Sequence, residues 1–79
     1  MTELTSVPEG YEWGEKESFF WRLRIIGGPT VAYVDDESDV GVGYRTVQVL
    51  DGVEIPMVAF ESSEEAKHYC HMLILTGAA

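Results

Sequence analysis

The sequence has few of the residues on which very small proteins rely for stability or chemistry. It contains one cysteine, Cys70, so no disulfide can form within the chain, and a lone thiol is more typical of a reducing compartment. With 79 residues, the chain is expected to form one domain, residues 1–79, of marginal stability. No nucleophile, base and orienting group are indicated together, so we expect no enzymatic activity and no cofactor.

Long apolar segments are also missing from the sequence. Its first residues lack the basic and apolar stretches of a signal peptide. Its longest apolar runs, such as residues 72–75, are far shorter than the ~20 residues needed to span a bilayer. Residues 1–10 are polar and contain Pro8 and Gly10, so we expect a flexible arm there. These features predict a cytoplasmic protein with no membrane partner.

Basic residues are scarce. The chain has 5 Lys and Arg against 14 Asp and Glu, which gives a formal net charge of −9. Phosphate backbones and anionic membranes repel such a charge, so direct nucleic-acid binding is disfavoured. A partner protein with a basic surface is attracted instead, with faster association at low salt. The hydrophobic content of 46% argues against the disorder that often accompanies acidic composition.

The strongest strand signal in the sequence spans residues 18–26. One set of alternate residues is wholly apolar and is expected to face the core: Phe19, Trp21, Leu23 and Ile25. The other set includes two arginines, so we expect it to face solvent or a partner.

Three further strands follow this segment. The Asp51-Gly52 pair predicts a type I′ hairpin turn, and Pro56 favours an edge position for the last strand. The strands are predicted at residues 30–34, 42–50 and 53–60, while residues 11–17 fit either a short edge strand or a loop.

The end of the sequence changes to helical periodicity. Ser62 and Glu65 have the spacing of a capping box, and Gly77 is placed to end a helix over residues 63–75. Its apolar stripe, which must be buried on the sheet, comprises Ala66, Tyr69, Cys70 and Leu73. The predicted fold class is therefore α+β: an antiparallel meander of three to four strands with one C-terminal helix packed on one face.

The opposite face of the predicted sheet has no helix to cover it. It carries a set of aromatic and basic residues: Phe20, Arg22, Arg24 and Tyr44. Such residues are enriched at the hot spots of protein interfaces, so they are candidates for partner binding. As an alternative, the two arginines pair with Glu15, with Glu17 or with acidic residues on the neighbouring strands.

Two acidic clusters form the other candidate site. One is a predicted loop with Asp35, Asp36, Glu37 and Asp39, and the other, at the helix start, has Glu61, Glu64 and Glu65. The loop fits a solvated hairpin tip that prevents edge-to-edge pairing, or an anionic patch that faces a partner. It does not fit a calcium loop, because Val40 and Thr46 occupy the positions of the turn glycine and the bidentate glutamate.

Residues 68–71, His-Tyr-Cys-His, have the composition of a metal site but not its geometry. On a helix, His68 and His71 share one face, whereas Cys70 falls in the apolar stripe. Two ligands on one turn do not make a closed zinc site. We therefore expect exposed histidines, a buried cysteine and no metal.

Several features of residues 18–75 resemble small accessory proteins encoded by phages and prophages. They are the Trp-x-Leu-x-Ile strand from Trp21, the short meander, and the Phe-x-Ser-x-Glu-Glu-Ala segment from Phe60 into the helix. Among such proteins, the anti-CRISPR and other anti-defence inhibitors are often very small, acidic and non-enzymatic. The resemblance implies inhibition by occupying a surface that a nucleic acid would use, in the cytoplasm of the host cell. It assigns no site residues.

Charge and resemblance together lead to one functional hypothesis and one alternative. The hypothesis is a non-enzymatic acidic protein that inhibits a nucleic-acid-handling complex by blocking a basic surface, as a DNA mimic does. The alternative is a small structural protein that forms homodimers or larger assemblies through its open sheet face.

Overall fold

The sheet is built in the order in which its strands occur in the sequence. The computed structural model describes residues 6–77. The strands are β1 (Tyr11–Trp13), β2 (Phe20–Ile25), β3 (Thr30–Glu37), β4 (Gly43–Leu50) and β5 (Val53–Phe60). Each pairs antiparallel with the next, and a helix, α1 (Ser63–Leu75), packs on one face against β3, β4 and β5. We call this the helix face and the opposite one the open face.

The predicted α+β class, meander and C-terminal helix are confirmed, but the predicted count of three to four strands is too low. The additional strand is β1, which pairs with β2 from Tyr11 opposite Ile25 to Trp13 opposite Leu23. At the other edge of the sheet lies β5, as Pro56 predicted. The preceding turn has φ angles of 52° at Asp51 and 78° at Gly52, as a type I′ turn requires.

The acidic loop predicted at residues 35–39 is wrong for most of its length. Strand β3 does not end at residue 34 but continues to Glu37, with Asp35 opposite Arg45 and Asp36 opposite Tyr44. Only Asp39 lies in the connection, within a short 3₁₀ turn, Ser38–Val40. Acidic residues disfavour strands in isolation, but cations beside β3 compensate for their charge.

The hydrophobic core lies between the helix face and α1. Its most deeply buried residues are Leu23, Val34, Ala66 and Cys70, with Trp21 packed beside them. Burial raises the pKa of the Cys70 thiol to about 12, so this cysteine is a packing residue at neutral pH.

Two residues of β2 and its approach depart from the predicted core face. Phe19 is 57% exposed because it lies at the tip of a tight turn whose ends, Glu17 and Phe20, exchange backbone hydrogen bonds. Ile25 is 37% exposed, at the last pair that β2 makes with β1. Alternation alone places both side chains toward the core. Phe19, however, lies in the turn before β2, where the alternation of the strand does not apply, and Ile25 lies at the end of the strand, where it is only partly covered.

The helix has the bounds that its capping signals predicted. Ser62 accepts a hydrogen bond from the Glu65 backbone N–H at 3.2 Å, and Glu64 and Glu65 occupy the first turn. The Glu65 carboxylate accepts a hydrogen bond from the Ser62 hydroxyl at 3.3 Å. The helix ends at Leu75, and Gly77 follows it with a φ of 77°.

His71 is buried, contrary to the exposed position predicted for both histidines. Its Nε2 accepts a hydrogen bond from Trp13 Nε1 at 2.8 Å, which joins the edge strand β1 to the helix. Lys67, one turn earlier, places its ammonium 5.3 Å and 5.0 Å from the ring centroids of Trp13 and Trp21. The sequence gives no sign of these contacts, because they join residues far apart in the chain, such as Trp13 and His71 at a separation of 58 positions.

Tyr44 lies on the helix face, so its predicted place among the open-face aromatics is wrong. It stands opposite Asp36 and Phe60, and its ring is 6.1 Å from that of Trp21. The same side of β4 carries the buried polar residues Thr46 and Gln48. Both faces of this strand mix polar and apolar residues, so the alternation pattern does not identify the buried one.

Only part of the predicted flexible arm is described. Residues 1–5 lie outside the described residues. Within residues 6–10, Pro8 is buried and its carbonyl accepts the Tyr11 N–H at 3.1 Å, and the Gly10 carbonyl accepts the Ile26 N–H at 2.9 Å. These contacts hold residues 8–10 against the sheet.

The hydrogen bond between Trp13 and His71 generates a stability prediction. We expect Trp13→Phe to lower the free energy of unfolding by about 1–3 kcal/mol, because it leaves a buried acceptor without its indole donor. In a His71→Leu background, where that acceptor is gone, the same substitution should have a smaller effect by about 1 kcal/mol. Urea denaturation of the four proteins measures the coupling. An equal effect in both backgrounds would show that the bond contributes nothing.

Candidate functional site

All five Lys and Arg side chains of this protein contact other residues within it. Of the 5 Lys and Arg, four form ion pairs with neighbouring carboxylates. The fifth, Lys67, lies over two tryptophan rings. The pairs are Lys16–Asp36 at 2.7 Å, Arg22–Glu17 at 3.4 Å, Arg24–Glu12 at 3.7 Å and Arg45–Glu37 at 3.4 Å. The predicted pairing of the two arginines with acidic residues is thus confirmed: Arg22 pairs with Glu17, and Arg24 pairs with Glu12 on the neighbouring strand.

Asp36 is the most strongly bound carboxylate of the predicted acidic loop. It accepts hydrogen bonds from the Lys16 ammonium at 2.7 Å and from the hydroxyl and backbone N–H of Ser38 at 2.5 Å and 3.1 Å. Chiefly because of the Lys16 bond and then those from Ser38, the pKa of Asp36 is lowered to about 2. This carboxylate therefore serves the fold, and a partner would have to displace those donors to reach it.

Asp35, the adjacent residue, lies in the opposite environment on the open face. Burial raises the pKa of Asp35, and the charges of Glu37 and Glu54 raise it further, while Arg45 opposes them. Arg45 itself pairs with Glu37 and donates to the Met57 carbonyl at 3.1 Å. Asp35 is thus a carboxylate on which the repulsion of nearby negative charges outweighs the attraction of Arg45.

Apart from Glu37, which pairs with Arg45, the remaining acidic residues of the two predicted clusters lie toward one end of the molecule. Pairing of β4 with β5 brings the 3₁₀ turn beside the start of α1, where the two segments line a shallow groove of about 530 Å³. The groove is lined by residues 38, 41–44, 59–61 and 65. We define the acidic end as Glu61 and Glu65, which line this groove, together with Asp39 and Glu64, which are the sequence neighbours of its lining residues 38 and 65. All four are exposed, and within residues 6–77 none forms an ion pair.

Gly43 makes this end of the sheet possible. Its φ is 96°, and a Cβ at this position would collide with the backbone carbonyl of Phe60. Only glycine therefore lets β4 approach the junction of β5 and α1 this closely. Gly41, two residues earlier, also has a positive φ of 79° but faces open space.

The open face keeps three of its four predicted contact residues. Phe20 packs edge-to-face on Tyr33 with ring centroids 5.6 Å apart, and the Arg22 guanidinium carbon is 5.8 Å from both centroids. Arg24 lies two residues along the same strand face. Tyr33 takes the place predicted for Tyr44. The sequence pattern also indicates this orientation of Tyr33, because Tyr33 alternates with Ala32 and Val34, which are buried. The predicted contact set nevertheless lacks Tyr33.

Comparisons with known proteins give no relative from which to infer a function. No protein-family model, no curated protein and no solved structure matches the chain. Between residues 6 and 77, no helix is long and apolar enough to cross a membrane. In the same part of the chain, no three His, Cys, Asp or Glu residues are arranged to hold a metal ion. Function is therefore inferred from the contacts and charges described above.

Two glycine substitutions test how the acidic end is held together. Gly43→Ala should lower the free energy of unfolding by roughly 3 kcal/mol, because it adds a collision with Phe60 to an unfavourable φ. Gly41→Ala is the matched control, and its unfavourable φ alone should cost about 1 kcal/mol. Chemical denaturation measures both. Equal losses would contradict the close approach of β4 to Phe60.

Proposed function

We propose that this protein is a non-enzymatic binding protein that inhibits a nucleic-acid-handling complex by occupying its basic surface with the acidic end. The observation that supports this most directly is the uneven compensation of charge. The protein's own cations are engaged along β1 to β4 and on the helix face, while the acidic end gathers four of the exposed carboxylates that form no ion pair within residues 6–77. A net charge of −9 reinforces the negative potential there.

The acidic end has the properties that a basic partner surface selects. Glu64 and Glu65 project from the first turn of a capped helix, and Asp39 from a short 3₁₀ turn that joins two paired strands. Their backbone positions are fixed by regular structure, so the conformational entropy lost when a partner binds is confined mainly to the side chains. Entering a basic channel, such carboxylates displace its counterions as phosphates do.

The open-face arginines do not make the protein a nucleic-acid binder. Arg22 and Arg24 are each paired with a glutamate on the same face. A phosphate would have to displace these glutamates against the negative potential of the whole molecule. The resemblance to phage anti-defence inhibitors agrees with a protein partner, and a bacterial defence effector is the partner class that we propose.

Self-association is a second candidate, supported by a different observation. The β4–β5 hairpin exposes several large apolar side chains: Leu50 at 40%, Val53 at 59%, Ile55 at 37% and Val58 at 52%. Two features oppose strand-to-strand pairing at this edge, namely Pro56 and the register shift between Arg45 and Val47. An assembly would therefore form through side-chain packing, as a homodimer or a larger particle.

Charge reversal at the acidic end tests the proposed function. The Asp39→Lys/Glu61→Lys protein should lose capture of basic nucleic-acid-binding proteins from a bacterial lysate at low salt. The control Glu9→Lys/Glu15→Lys has the same net charge but changes exposed residues elsewhere. It should keep most of the capture, and sodium chloride should elute what the native protein binds. After elution, the captured nucleic-acid-handling complex should lose nucleic-acid binding when the native protein is added again.

Two outcomes would contradict the proposal. One is equal capture by both variants, which would show that the acidic end is not the contact. The other is retention of the partner in molar salt, which would indicate apolar contacts. Light scattering of the native protein distinguishes self-association from the proposed inhibition, because self-association predicts a mass above that of the 8.8 kDa chain.

A further inference from the structure

A small pocket on the open face combines aromatic rings with carboxylates. It has a volume of about 210 Å³ and is lined by Phe19, Phe20, Tyr33, Asp35, Val47 and Glu54. Pockets for drug-sized ligands are larger, about 300–1,000 Å³. The size of this pocket suits a single side chain.

One ring in the aromatic wall of the pocket is largely exposed. Phe19 packs edge-to-face on Phe20 with ring centroids 5.5 Å apart, and Phe20 packs in the same way on Tyr33. Phe19 nevertheless remains 57% exposed at the tip of its turn. A large exposed aromatic residue beside further rings is typical of a contact surface.

The electrostatic environment of the pocket favours a cation. Asp35 and Glu54 both line it, and the repulsion between them contributes to the raised pKa of Asp35. Arg45, whose charge opposes the raised pKa of Asp35, pairs with Glu37 at 3.4 Å. A positive group placed between these carboxylates would relieve their repulsion and interact with the ring faces.

The protein already shows which cation these rings accept. The Arg22 guanidinium lies 5.8 Å from the centroids of both Phe20 and Tyr33, and Arg22 is not among the residues that line the pocket. The planar guanidinium stacks on rings and forms paired hydrogen bonds with carboxylates, whereas an ammonium does so less well.

We propose that this pocket receives one arginine side chain of a basic partner protein, held by the aromatic rings and by the carboxylates of Asp35 and Glu54. This inference rests on the proposed function, which supplies the basic partner. A second copy of the chain is a poorer occupant, because Arg22, Arg24 and Arg45 are all engaged in ion pairs. The arginine pocket adds side-chain recognition to the longer-range attraction of the acidic end.

Titration with small arginine probes tests the arginine pocket directly. N-acetyl-arginine methylamide should shift the backbone amide resonances of Phe20, Tyr33, Asp35 and Val47 in a saturable manner at low salt. The citrulline analogue, which has the same shape without the charge, should not. The lysine analogue should bind more weakly. Asp35→Asn/Glu54→Gln should weaken arginine binding on the order of tenfold, because two ion pairs are lost.

Stability measurements show whether the variant remains folded. The raised pKa of Asp35 means that its ionised form disfavours the folded state at neutral pH, and that this penalty vanishes below the ordinary value of 3.8. Asp35→Asn should therefore unfold at a higher temperature than the native protein at pH 7 and at about the same temperature near pH 3. If Asp35→Asn binds the arginine probe less well but is more stable than the native protein, Asp35 has a binding role and not a structural one. Glu54→Gln, at an exposed position, provides a second variant.

The results that would overturn the arginine pocket differ from those that concern the acidic end. Equal binding of the arginine and citrulline probes, or unchanged arginine binding by the double variant, would overturn it. Equal binding of the lysine probe would overturn the assignment to arginine. If Asp35→Asn/Glu54→Gln captures basic partners as the native protein does while Asp39→Lys/Glu61→Lys does not, the pocket inference fails and the proposed function stands. The reverse pattern supports the pocket and contradicts the role of the acidic end.

Discussion

The continuation of β3 to Glu37 is the constraint on which the surface of this protein depends. Because the strand remains paired with β4 through its acidic residues, successive carboxylates point to opposite faces of the sheet. Asp36 goes to the helix face, where Lys16 and Ser38 bind it. Asp35 goes to the open face, among aromatic rings and further carboxylates. A flexible loop with the same composition would not separate these roles.

A seam of cations and aromatic rings holds the helix on the sheet and thereby positions the acidic end. Lys67 lies over both tryptophans, and Trp13 donates to His71 from the edge strand. With α1 fixed in this way, its first turn stands beside the 3₁₀ turn that follows β3. The 5 Lys and Arg are engaged in these and other contacts within the protein, and the 14 Asp and Glu outnumber them, which leaves the exposed charge predominantly negative.

The sequence correctly predicted those features of the fold that depend on interactions between neighbouring residues. The bounds of α1, the Asp51-Gly52 turn and the edge position of Pro56 depend on capping, on positive φ angles and on a missing N–H, all of which involve neighbouring residues. The length of β3, the face of Tyr44 and the burial of His71 depend on pairing and packing with other secondary-structure elements. The aromatic pocket was missed for the same reason, since Glu54 and Asp35 meet only after β3, β4 and β5 have paired.

The opposite environments of Asp35 and Asp36 are the central claim of this account, and carboxyl carbon chemical shifts measured by NMR as a function of pH test it most directly. Asp36 should titrate near pH 2, because Lys16 and Ser38 bind its ionised form, and Asp35 should titrate above its ordinary value of 3.8, because burial and like charges oppose ionisation. Titration of both residues near 3.8, or of Asp36 above Asp35, would contradict the account.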